Sequence, residues 1–263
     1  MMMKELLIEC LKRAGKIQLS RFQNIDKISR KESISSIVTE VDFECDKEIT
    51  GIIQEGFPDH NLLSEETGLR INDSEFTWII DPLDGTSNYA AGLPWFGVLI
   101  AVMKGNIPYM AGAYIPFADK LYLAESGNGA TLNGEVLKIE NKNIEDVLFG
   151  FSMDYTKDNN YLNRGIEIYK FLVKNARNVR TTNSLIDLFN VAENTFGGVI
   201  NMYNGIWDIA APYLIIKEAG GIVKDIYGFE LEFKTDKNNI YKNYPVITGS
   251  PLIVERVLKG ILS

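Results

Sequence analysis

Trp78-Ile79-Ile80-Asp81-Pro82-Leu83-Asp84-Gly85-Thr86-Ser87-Asn88 is the stretch on which the reading of this chain turns. Trp78-Ile79-Ile80 is aromatic and β-branched, which predicts a strand. Pro82 has no N–H for a sheet ladder and biases Asp81 to extended geometry, so the chain is expected to leave the strand there. A turn at that point swings Asp84 back beside Asp81, with the Leu83 carbonyl freed from ladder pairing at the same spot. Two carboxylates and a carbonyl are hard oxygen donors suited to Mg²⁺. Gly85 lets the backbone approach a ligand closely. Thr86 opens a short helix whose free N–H groups suit a phosphate. Asp-Pro and Asp-Gly are also ordinary turn formers, so the hexapeptide alone leaves both readings open.

Two flanking signals bear on the same chemistry. Leu62-Leu63 reads as a short buried strand running into Ser64-Glu65-Glu66, sixteen residues before Asp81. Adjacent strands of one sheet would deliver Glu65 and Asp81 to one edge, although acidic residues at a helix N-terminus are the plainer alternative. Downstream, Trp207-Asp208-Ile209-Ala210-Ala211 opens a strongly apolar helix that stops at Gly220-Gly221. Asp208 lies in its first turn, where it either caps the helix or reaches into a cleft.

The rest of the chain falls into two rhythms. Leu7, Cys10, Leu11, Ala14, Ile17 and Phe22 have helical spacing, as do Val41, Cys45, Ile49, Ile52 and Ile53, which end at Gly56 and Pro58. Between them, 29–39 is rich in Ser, Thr and charge and reads as a mobile loop. Strands are expected at 96–103, 108–115 and 120–124, with a hairpin at Asn133-Gly134, which suggests an antiparallel sheet. The polar stretch 138–146 is the candidate boundary. Beyond it strands at 147–151, 178–180, 199–203, 222–226 and 245–248 alternate with helices at 161–174, 184–194, 207–219 and 252–262. The expected fold class is a layered α+β / α/β sandwich. Residues 1–140 form an α+β unit with an antiparallel sheet, and residues 141–263 a smaller α/β unit contributing Asp208.

Composition narrows the function. With 27 basic and 35 acidic residues among 263, the net charge is −8, which argues against non-specific binding to nucleic acid or anionic membranes. A phosphate ligand on such a protein calls for bound cations. Cys10 and Cys45 are the only cysteines and read as core residues rather than a disulfide framework. Glu5 and Glu9 interrupt the first apolar stretch, and no apolar run approaches a membrane span, so a cytoplasmic protein is expected. His60, between Asp59 and Asn61, reads as a surface residue, and Trp207 as packing. Arg177 and Arg180 read as solvated strand-end charges.

Taken together, 78–88, Glu65-Glu66 and "WDIAAPYLIIKEAGG" at 207–221 resemble the inositol monophosphatase family, over nearly the whole chain from Asp42 onward. That family is a branch of the lithium-sensitive, metal-dependent phosphatases that includes fructose-1,6-bisphosphatases and adenosine 3′,5′-bisphosphate phosphatases. The resemblance implies the αβαβα sugar-phosphatase fold, two or three Mg²⁺ ions, lithium sensitivity, a homodimer and a small phosphorylated polyol or sugar as substrate. Residue by residue, it implies that Glu65, Asp81 and the Leu83 carbonyl hold one Mg²⁺. Asp81, Asp84 and Asp208 would hold a second, with a weaker third near Glu65. Asp42 and Thr86 match a pair that activates water, and Gly85 and Thr86 the phosphate-binding turn. Asn183, Ser184, Asn201 and Asp208 match the substrate side. Lys31 matches a basic loop residue. The chain departs from the pattern at Ser36, where inositol-type members usually carry aspartate, and at Asn201, where they carry glutamate. A neutral, hydrogen-bonding pocket is therefore expected. The same scaffold leaves open hydrolysis of inositol phosphates, of another ester such as fructose 1,6-bisphosphate or histidinol phosphate, or a non-catalytic regulatory role.

Overall fold

The computed structural model describes residues 2–31, 34–184 and 186–262. In chain order the first half runs α1 (Met3–Arg21), β1 (Ile28–Arg30), β2 (Ile37–Thr39), α2 (Glu40–Gly56), β3 (Asn61–Ser64), β4 (Gly68–Arg70), β5 (Phe76–Asp84) and α3 (Thr86–Ala90). It continues through β6 (Gly97–Lys104), β7 (Ile107–Ile115), β8 (Lys120–Glu125), β9 (Ala130–Leu132) and β10 (Glu135–Val136). The second half is β11 (Leu148–Ser152), α4 (Asn159–Asn175), β12 (Asn178–Arg180), α5 (Ile186–Ala192), β13 (Phe196–Asn201) and α6 (Ile206–Glu218). β14 (Ile222–Asp225), β15 (Val246–Gly249) and α7 (Pro251–Ile261) complete it.

Two larger sheets and three helical layers stack as αβαβα, with the β1–β2 hairpin as a separate two-stranded sheet. The eight-stranded sheet has the order β10-β9-β8-β7-β6-β5-β3-β4, and the five-stranded sheet β12-β11-β13-β15-β14. Side chains alternate across each strand, so Trp78 and Ile80 face α1 and α2 while Ile79 faces α5 and α6. The far face of the smaller sheet packs on α4 and α7 through Phe149, Phe151, Ile168 and Val257. α6 therefore lies between two sheets. That position explains why it is apolar on nearly every side, with Ile206, Ile209, Leu214, Ile215 and Ile216 all buried.

The first sheet is antiparallel except at one pair. β3 runs parallel to β5, with Ser64 opposite Ile80, so both strands end at the same edge. β5 also differs from the expected break: it continues through Pro82 to Asp84. The register moves from Asp81↔Leu99 to Asp84↔Gly97, three residues against two, which is a β-bulge. Leu83 joins the face of Trp78 and Ile80, and the bulge returns Asp84 to the face of Asp81.

Two further expectations are corrected. The stretch read as a mobile loop forms the β1–β2 hairpin, with Ile28 opposite Thr39, while its residues 32 and 33 lie outside the described part. His60 is not a free surface residue. It stacks between Phe57 and Phe76, at 4.7 and 5.1 Å, and its Nδ1 accepts from the Trp78 indole at 2.9 Å.

α1 is bound to the bulge through a buried polar side chain. Gln18 Nε2 donates to the Pro82 carbonyl at 2.8 Å and the Gly97 carbonyl at 3.0 Å, and the Tyr89 hydroxyl donates to the Gln18 carbonyl at 2.7 Å. Gln18→Leu would remove a donor from two buried carbonyls at the bulge. Urea unfolding should show a loss of roughly 1–3 kcal/mol, whereas an exposed control such as Lys16→Leu should change little.

Candidate active site and metal centre

Face alternation decides which carboxylates meet. Glu65 continues β3 on the face of Leu63, and Asp81 shares the face of Ile79, so both point toward α6. Asp208 sits three residues into α6 and comes from the opposite side. Carboxylate oxygens of Glu65, Asp81 and Asp208 all lie within 4.8 Å of one another. Asp84 stands beside this triplet, and its charge acts on both Asp81 and Asp208. Burial, then the neighbouring charges of Glu65 and Asp84, hold the Asp81 and Asp208 carboxyls well above the ordinary range. The donors are all oxygens, with no thiolate or imidazole, and suit a hard divalent cation such as Mg²⁺.

Asp208 is both a cap and a cluster member. One carboxylate oxygen accepts the Gly205 N–H at 2.5 Å at the start of α6, so the two sequence readings are not alternatives. Asp42 does the same on α2, where its Oδ2 accepts the Thr39 N–H at 2.9 Å. Its Oδ1 accepts from the Thr86 hydroxyl at 2.9 Å, and that hydroxyl also lies 3.0 Å from the Leu83 carbonyl. Burial raises the Asp42 carboxyl despite the hydrogen bonds from Thr39 and Thr86. Gly85 has φ of 79°, and a Cβ there would collide with the Trp95 carbonyl, so this turn requires glycine.

Lys31 reaches the cluster from the hairpin. Its Nζ lies 2.7 Å from Glu65 Oε1 and 2.5 Å from Glu66 Oε1. Burial works against its charge, but the two carboxylates outweigh that and hold the ammonium above its usual value. Glu66 is pushed up to about 7 by burial and by the charge of Glu65.

The cleft around these groups has a volume of about 730 Å³ and includes Ser36, Asn183, Ser184, Asn201, Trp207 and Tyr241. Ser184 Oγ lies 3.4 Å from Asp84 Oδ2, and Asn88 Nδ2 donates to the Asn183 carbonyl at 3.3 Å, so the loop before α5 docks on the first half. Leu185, within that loop, lies outside the described residues. Trp207 packs edge-on to Tyr241 while lining the cleft. Arg177 and Arg180 are exposed and line no part of it.

Asn201 lines the cleft, but its amide is engaged locally. It donates to Asn204 Oδ1 at 2.9 Å and accepts the Tyr203 N–H at 3.2 Å. The pocket is also not neutral, because Asp154 lines it. Asp154 lies just past β11, which runs parallel to β13. Ligands collect beyond the carboxyl ends of parallel strands, and that rule was the available signal for it.

A family model described as the inositol monophosphatase family matches residues 2–258. The chain belongs to the inositol monophosphatase family. It is 34% identical to the Nus factor SuhB of Haemophilus influenzae, over 99% of this chain and 94% of the relative. It is 36% identical to a fructose-1,6-bisphosphatase/inositol-1-monophosphatase of Aquifex aeolicus, over 76% of this chain and 75% of the relative. In structure it is similar to the extragenic suppressor protein suhB of Bartonella henselae, with a TM-score of 0.88, 25% identity and coverage of 98% and 97%. The family's phosphatase fold and its general dependence on Mg²⁺ agree with the layers and the oxygen cluster described above. No described helix is long and apolar enough to cross a membrane.

Asp187 was not singled out from the sequence, yet it braces the loop before α5. It is buried, and its carboxylate accepts from the Thr182 hydroxyl and, at 3.4 Å, from Ser152. Burial pushes its carboxyl up to about 6 from 3.8, against the pull of those hydrogen bonds. An acid raised in the folded state holds its proton more tightly folded than unfolded. Its contribution to stability therefore falls as pH rises from about 4 to about 6. Urea unfolding near pH 4 and near pH 7 should show a smaller drop for Asp187→Asn than for the parent chain.

Proposed function

We propose that the chain hydrolyses small phosphate monoesters of polyols or sugars, inositol monophosphate among them, with Mg²⁺ held by Glu65, Asp81, the Leu83 carbonyl, Asp84 and Asp208. The observation that supports this most is the convergence of carboxylates from β3, β5 and α6 within 4.8 Å, beside the hydrogen-bonded Asp42–Thr86 pair. In this reading residues 1–140 supply most metal and phosphate contacts, and residues 141–263 supply Asp208 and the wall for the leaving group.

Bound cations would neutralise the ester and acidify the attacking water. The chain's own groups orient the reactants and move the proton. Thr86 Oγ accepts a hydrogen bond from the water while donating its own hydrogen to Asp42. As the water oxygen attacks phosphorus, its proton passes to Thr86 and the Thr86 proton to Asp42. The raised Asp42 carboxyl is suited to accept it. Glu65 holds the same water from the other side. In the same step the bond from phosphorus to the ester oxygen breaks, and the departing oxygen takes a proton from solvent water to leave as the alcohol. Main-chain N–H groups at Gly85 and Thr86 bind the phosphate oxygens. Asn183, Ser184 and Asp208 hold the leaving alcohol, with Asn201 a weaker contact because its amide is engaged.

The Aquifex relative's name makes fructose 1,6-bisphosphate the bisphosphate to include in the test. The Haemophilus relative is named a Nus factor, which states no enzymatic activity, and it leaves the expected absence of a nucleic-acid partner without support. Phosphate release separates a catalytic from an idle relative. With Mg²⁺ the chain should hydrolyse inositol 1-phosphate, and excess EDTA should abolish turnover. Full activity in EDTA, or none on any of a panel of inositol, fructose, adenosine and histidinol phosphates, would count against the proposal. Asp84→Asn and Asp208→Asn should each lower kcat/KM by about a hundredfold or more, and the double variant by far less than the product.

A further inference from the structure

The leaving-group side of the cleft is built where two parallel strands end. Ser152 of β11 lies opposite Asn201 of β13, and the chain beyond Ser152 carries Asp154 into the cleft. Asn183 reaches across from the loop before α5, and its Nδ2 donates to Asp154 Oδ1 at 2.7 Å. Asn183 has φ of 52°, a left-handed conformation that asparagine tolerates better than most residues. Among the described residues, the second half contributes three charged side chains to the cleft: Asp154, Asp208 and Lys242. Asp208 belongs to the metal cluster. Lys242 is exposed, its ammonium 4.9 Å from the centre of the Tyr244 ring. Asp154 is half-buried, and the Asn201 amide nearby is occupied by Asn204 and Tyr203.

An ionised carboxylate only accepts hydrogen bonds, and its two oxygens have room for several donors. Asn183 takes part of one oxygen. Neighbouring hydroxyls on a polyol are donors and can satisfy the rest. A second phosphate offers no donor and meets a like charge, which is how a site built for one ligand turns another away. Resting on the phosphatase reading above, we propose that Asp154, oriented by Asn183, determines specificity on the leaving-group side. It accepts polyhydroxylated leaving groups through their hydroxyls and rejects those that carry a second phosphate, which makes the site one for monophosphates.

Fructose 1-phosphate and fructose 1,6-bisphosphate test this, since their covalent structures differ only in the distal phosphate, with each rate referred to the concentration of the furanose form. With Mg²⁺, the parent chain should favour the monophosphate in kcat/KM by about tenfold or more. Asp154→Asn keeps the shape and can still accept from Asn183, but removes the charge. It should cut that preference by about tenfold, gaining on the bisphosphate and losing on the monophosphate, while Asp154→Glu keeps the preference. Asn183→Gly suits the backbone but removes both the donor that orients Asp154 and Asn183's own contact with the leaving alcohol. It should therefore raise KM for fructose 1-phosphate more than it lowers kcat and, like Asp154→Asn, cut the preference for the monophosphate. It also keeps the test decisive should Asp154→Asn fail to fold. A parent preference for the bisphosphate, or a ratio unchanged in folded Asp154→Asn and a KM unchanged in Asn183→Gly, would overturn the inference. p-Nitrophenyl phosphate, which has no hydroxyl to offer, separates the two levels. Release from it with unmoved ratios overturns the role of Asp154 alone. No release from any ester overturns the phosphatase reading and this inference with it.

Discussion

Carboxylates that are forced together repel one another, and the centre of this molecule is organised around that repulsion. At about 4 Å and an effective dielectric near 20, each like-charged pair costs on the order of 4 kcal/mol. Glu65, Asp81 and Asp208 are held at such separations by elements that are themselves buried, so they cannot swing apart without disturbing the layers. Lys31 offsets part of this charge through Glu65 and Glu66, but one ammonium against five nearby carboxylates leaves the site strongly negative. A phosphate ester brought to such a site would be repelled unless cations were bound with it. The general Mg²⁺ dependence of the inositol monophosphatase family therefore has a direct electrostatic basis in this chain.

The groups that set this charge also hold the fold together. Asp208 caps the helix buried between the two sheets, and Asp42 closes the capping box of α2 while bonding Thr86. Gln18 fastens the bulge that turns Asp84 toward the cluster. A helix cap is worth about 1 kcal/mol. Substitution of either aspartate therefore disturbs the carboxylate cluster or the Thr86 contact and loosens a helix end at once.

Much of the fold was legible because burial writes its period into sequence. Helical spacing marked α1 and α2, alternation and apolar runs marked most strands, and Asn133-Gly134 marked a turn whose two residues both have positive φ. The carboxylates were legible as well: each acidic stretch alone had a plainer reading, and their joint resemblance to the family placed Glu65, Asp81, Asp84 and Asp208 at one site. Three misreadings have local causes. Pro82 was read as a strand end, but a bulge tolerates a residue without an N–H. The segment before α2 lacks apolar alternation because β1 is exposed along its length and β2 is only three residues long, too short to show a period. His60 has no period of its own, and its place between Phe57 and Phe76 depends on β5 packing beside it.

The sequence by itself determined most of the element order, the layered class and the oxygen-donor residue types through local spacing, and the family through the resemblance of its motifs. Only the tertiary structure decided what meets what. The parallel pairing of β3 with β5 brings Glu65 to Asp81, and the central position of α6 brings Asp208 to both. It also decided that the Asn201 amide turns inward to Asn204 while Asp154 faces the cleft. The meetings of carboxylates join residues 16 to 143 positions apart. No local propensity encodes them; they arise when the apolar faces of the layers are buried together.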